Sequence, residues 1–78
     1  MPDYTPLIAE HVALTRSLYK LLDTDPRRVI EVSRRGLRQM RALVPDELGD
    51  EISVDAMIET YEDLIERAER VLAGRGMG

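Results

Sequence analysis

The sequence predicts an all-α protein, a small three-helix up-down bundle with helices over about 6–22, 26–44 and 53–73, open to completion by homo-oligomerisation. Three observations carry this. Apolar residues recur at spacings of three and four over three stretches, the signature of helices that bury one face. Thr5-Pro6 and Asp25-Pro26 each pair a capping residue with a proline that suits the first helical position. No run of alternating apolar and polar residues extends beyond a few positions, so no strand is assigned.

The first helix, 6–22, places Leu7, Ile8, Val12, Leu14, Leu18, Tyr19, Leu21 and Leu22 over about half of its circumference, wider than the ~100° face of an ordinary surface helix. Such an arc suits contact with both other helices, and any part left bare would favour self-association. Asp23-Thr24-Asp25 is then a tight turn, so the second helix runs antiparallel to the first. It ends near Val44, because Pro45 disfavours the helical conformation for the residue before it. Its buried side carries Val29, Ile30, Val32, Leu37, Met40, Leu43 and Val44, with Ser33 and Gly36 small enough for close helix approach.

Residues 45–52 read as a connector, with room for one short turn at Pro45–Leu48. Ser53 is the expected cap of the third helix, with Ile52 and Met57 as a hydrophobic staple and Asp55 in the first turn. Val54, Met57, Ile58, Tyr61, Leu64, Ile65, Ala68, Val71 and Leu72 form its unbroken apolar stripe. Gly74 is the expected stop, and 74–78 a flexible tail.

A length of 78 residues allows one domain, spanning 1–78, and a modest core. With no cysteine and one histidine there is no disulfide framework and no ligand set for zinc. No phosphate-binding loop, dinucleotide fingerprint, metalloprotease helix, calcium loop or nucleophile–base motif occurs. No metal, cofactor or small-molecule substrate is therefore expected, and no enzyme activity. Without an apolar run of membrane-spanning length or a leader-like N-terminus, the expectation is a cytoplasmic protein that does not engage the membrane. These features are common to many unrelated helical bundles and point to no family.

What remains is sorted charge. The net charge of −4 conceals a segment 24–44 at +4, where six arginines outweigh Asp25 and Glu31, and a segment 45–73 at −8, where ten acids outweigh Arg67 and Arg70. Arg27, Arg34, Arg38 and Arg41 fall within about 60° of one another around the second helix, a stripe about 21 Å long. Guanidinium groups suit phosphates or carboxylates held in bidentate fashion. Asp55, Glu59, Glu62, Glu66 and Glu69 occupy a sector of about 80° on the third helix. Glu62 and Glu66, four apart, repel each other, while Glu66–Arg70 and Asp63–Arg67 are favourable pairs. Whether the two stripes meet or diverge depends on how the bundle winds.

His11, Thr15, Ser33 and the Tyr61 hydroxyl are candidates for a polar core or interface layer that fixes helix register. Taken together, the expectation is a non-enzymatic interaction module, an adaptor or regulator, that binds a protein partner or itself through an apolar and charged helical face. Nucleic-acid binding by the arginine stripe is the alternative, opposed by the acidic total and the lack of Trp and Phe. A further alternative is an acidic inhibitor that imitates a polyanion through the glutamate stripe.

Overall fold

The computed structural model describes residues 5–42 and 50–76, and within them the chain forms three helices: α1 Thr5–Leu21, α2 Pro26–Ala42 and α3 Asp50–Gly76. All three pack against one another, α2 and α3 most extensively. This is the small all-α three-helix bundle that the apolar periodicity predicts.

The turn between α1 and α2 shows why the chain reverses there. The Leu21 carbonyl accepts from Thr24 N (3.1 Å) and Asp25 N (2.8 Å), which satisfies the end of α1. Asp25 then caps α2: its Oδ1 accepts from Arg28 N at 3.3 Å and its carbonyl from Val29 N at 3.2 Å. Pro26 occupies the first helical position and is buried, where its missing N–H leaves no donor unpaired.

The core is built from Leu18 of α1, Val29 and Met40 of α2, and Val54, Met57, Tyr61, Leu64 and Ala68 of α3. Around it lie Leu7, Ile8, Val12, Leu14 and Leu21 of α1 and Leu22 of the turn after it, all half-buried. The wide apolar arc of α1 is thus taken up inside the bundle, and Tyr19 is the one large apolar residue exposed on the described surface, at 39%.

The helix bounds differ from expectation mainly in α3. It begins at Asp50, so Ile52 and Ser53 lie within the helix and Ser53 is not its cap. Asp50 and Glu51 are residue types favoured at a helix N-terminus, where unpaired N–H groups and the dipole attract negative charge. Asp55 accordingly sits past the first turn. At the other end α3 runs through Gly74 to Gly76. A helical glycine costs only about 1 kcal/mol, and the Arg75 guanidinium donates to the Asp23 carbonyl, tying this last turn to the α1–α2 corner. The expected tail is therefore helical as far as Gly76. α1 starts and ends one residue earlier than expected, and α2 is helical to Ala42. The expectations for Leu43, Val44, the turn at 45–48 and residues 77–78 fall outside the described residues.

Candidate interaction face and polar core layer

The winding of the bundle brings the two charged stripes to the same side. On α2 the buried direction is marked by Val29, Ser33, Gly36 and Met40. Leu37 and Ile30 lie between that direction and the arginines, both half-buried. On α3 the half-buried Ile58 and Ile65 stand in the same relation to Glu62, Glu66 and Glu69. Between the two edges runs an open groove of about 590 Å³, lined by Leu37 from α2 and by Glu62, Ile65, Glu66, Glu69, Arg70 and Ala73 from α3. A shallower hollow of about 330 Å³ adjoins it among Arg34, Leu37, Arg38 and Arg41. Leu37 belongs to both, so basic edge, apolar floor and acidic edge are contiguous.

One ion pair spans the two edges. Arg41 Nη2 lies 3.8 Å from Glu62 Oε2, with both side chains more than half exposed. α2 and α3 run antiparallel and both side chains lean toward the N-terminus of their own helix, so this pair joins the arginine edge of α2 to the glutamate edge of α3. It is the one ion pair that joins α2 to α3 among the described residues. Glu66 turns instead to Arg70 at 2.5 Å on its own helix, and no carboxylate of the described residues lies within 4 Å of Arg34 or Arg38. Arg27 is exposed on the α2 turn nearest the α1–α2 corner. Asp55 and Glu59 are exposed on the first half of α3 without a pair among the described residues.

The polar layer forms in part. His11 is 5% exposed and Tyr61 fully buried. The two side chains are hydrogen-bonded between Nδ1 and the phenol oxygen, and their rings meet edge-on, with centroids 5.6 Å apart and planes at 88°. Burial lowers the His11 pKa below its ordinary 6.5, against a smaller opposing effect of Glu10, and burial raises that of Tyr61 to about 12. The pair is thus neutral around pH 7, and the ring's tautomer sets which of Nδ1 and the phenol donates. Thr15 does not join it. Its Oγ1 donates to the Val12 carbonyl at 2.8 Å, a local bond within α1. Ser33 is fully buried and its Oγ has no hydrogen-bond partner among the described residues.

A second surface feature escaped the sequence reading. The exposed Tyr19 hydroxyl donates to Asp63 Oδ2 at 2.7 Å, and Arg67 Nε donates to the same oxygen at 2.7 Å. These two hydrogen bonds, that of Tyr19 first, hold the Asp63 carboxyl below its ordinary range. Asp63–Arg67 was visible as a spacing of four; Tyr19, 44 positions away, could be found only from the bundle's winding.

Among the described residues no group of three His, Asp or Glu side chains is placed to hold a metal ion, and no helix is long and apolar enough to cross a membrane. Compared with known proteins, the chain matches no family model, no curated sequence and no solved structure. Any functional reading therefore rests on the face itself.

Proposed function

We propose that this chain is a non-enzymatic helical interaction module, an adaptor or regulator of the cytoplasm, that binds protein through the α2–α3 face. The single observation in support is the order of that face: an arginine edge, an apolar floor at Leu37 and Ile65, and a glutamate edge, with one ion pair, Arg41–Glu62, closed across it. An apolar strip bordered by opposite charges is the pattern of a helical recognition surface, in which burial supplies affinity and charge selects partner and alignment. A duplex DNA contact fits less well, because Glu62 stands 3.8 Å from Arg41 and the whole acidic edge would lie beside the phosphates.

The chain has no cysteine, so Ala73→Cys gives a unique attachment point at the exposed end of the groove. A photo-crosslinker there yields protein adducts that weaken when either edge is reversed, by Arg34→Glu with Arg38→Glu or by Glu66→Arg with Glu69→Arg. Absence of any protein adduct, or adducts indifferent to both reversals, overturns the reading. So does tight, salt-dependent binding of a DNA duplex lost only on reversing the arginines.

A further inference from the structure

We propose that the occupant of the α2–α3 face is a second copy of the chain, arranged about a two-fold axis that runs parallel to the bundle along the groove. This rests on the interaction-module reading and specifies its partner. Viewed face-on, the arginine edge lies on one side of the groove and the glutamate edge on the other. Rotation by 180° about an axis along the groove exchanges left and right but preserves height. It therefore brings the arginine edge of one copy, with Arg34 and Arg38, opposite the glutamate edge of the other, with Glu66 and Glu69, on both flanks. A two-fold axis across the groove instead keeps left and right and sets arginine against arginine, which is repulsive. Face-to-face pairing of identical copies thus has one charge-compatible orientation.

The same axis runs along the apolar floor. Leu37 and Ile65, half-buried in one chain, face Ile65 and Leu37 of the second copy across it. α2 and α3 of both copies then form a four-helix arrangement in which each α2 lies between two antiparallel α3 helices. Closure of this seam adds apolar burial that a chain of 78 residues otherwise lacks. Arg34 and Arg38, which have no carboxylate within 4 Å among the described residues, gain partners from the second copy.

Sedimentation of the full chain over a range of concentrations tests this. A monomer–dimer equilibrium is expected in 50 mM NaCl, with a dissociation constant about tenfold or more higher in 1 M NaCl, since the flanking pairs are exposed and screened. Arg34→Glu/Arg38→Glu makes both edges acidic, and Glu66→Arg/Glu69→Arg makes both basic. Each variant alone is monomeric, and an equimolar mixture restores a heterodimer, with helical circular dichroism unchanged because all four positions are exposed. A wild-type chain that stays monomeric, a dimer that survives either reversal, or a mixture that forms no heterodimer overturns the proposal. The parent reading fails separately: edge-dependent adducts to another protein from a monomeric wild-type chain leave it standing, whereas no adduct to any protein removes it.

Discussion

The Tyr61 ring lies where a side chain on Gly36 would have to go. A Cβ built at Gly36 would stand 2.7 Å from both Cε1 and the hydroxyl oxygen of Tyr61, and it also overlaps Cζ, closer than non-bonded atoms tolerate. Since Tyr61 is fully buried, the ring has nowhere to retreat. The glycine is what lets α2 and α3 approach closely enough to enclose the phenol and present its hydroxyl to His11.

Gly36→Ala should therefore destabilise the bundle by about 1–3 kcal/mol, as overpacking does, despite the higher helix propensity of alanine. A fall in Tm of about 4 °C or more is expected for a domain of this size. Combining it with Tyr61→Leu should recover part of the loss; an unchanged or raised Tm in the single variant would show that the ring can move aside.

His11 and Tyr61 should behave as a coupled pair. His11→Leu leaves the phenol hydroxyl buried without its partner, and Tyr61→Phe does the same to Nδ1; each should cost about 1–3 kcal/mol while the fold is kept. The double variant should be less destabilised than the sum, because two apolar groups replace a satisfied polar pair. Urea titrations of the four proteins measure the coupling, and strictly additive losses would sink the idea.

Acid should weaken the bundle through His11. Its folded pKa lies below the unfolded value of 6.5 through burial, so the unfolded chain binds the proton more readily. The stabilising contribution of the neutral ring is complete above about pH 6.5 and declines as pH falls through the window between 6.5 and the folded pKa. The groups that face the imidazole are the neutral phenol of Tyr61 on α3 and, on its own helix, Glu10, whose charge opposes the shift. Comparing wild type with His11→Leu in urea at pH 7.5 and pH 5 isolates this component: the wild type should lose more stability on acidification than the variant.

Ser33→Ala should be neutral or stabilising, by up to about 2 kcal/mol, because it removes a buried hydroxyl that has no partner. Alanine is also the better helix former. A loss above about 1 kcal/mol would mean that Oγ is hydrogen-bonded after all.

The sequence carried most of the helical architecture because its signals are local. Asp25-Pro26 caps α2 as its residue types require, and the stripe from Val54 to Ala68 is the buried face of α3. The start of α3 was misplaced because two signals competed, a serine cap at 53 and the acidic pair at 50–51, and their order of strength depends on packing. Gly74 failed as a stop because the contact of Arg75 with Asp23 spans 52 positions. The polar layer was legible as His11 with Tyr61, whose phases both face inward. It was not legible that Thr15 would satisfy itself on α1 or that Ser33 would stay unpaired, since both depend on a few tenths of an ångström. Least accessible was whether the charged stripes meet. Periodicity fixes the angle of a residue around its own helix, but the handedness of three packed helices decides which angles adjoin.

Tyr61 has a consequence for how the domain comes apart. Its ring is seated on α2, its hydroxyl is held by α1, and its backbone belongs to α3. Detachment of any one helix uncovers the same phenol and breaks either its seat or its hydrogen bond. Peeling a single helix therefore brings little saving over losing the whole fold. Amide protons at the centres of all three helices should exchange with solvent at one common rate-limiting free energy, as a single cooperative unit rather than three.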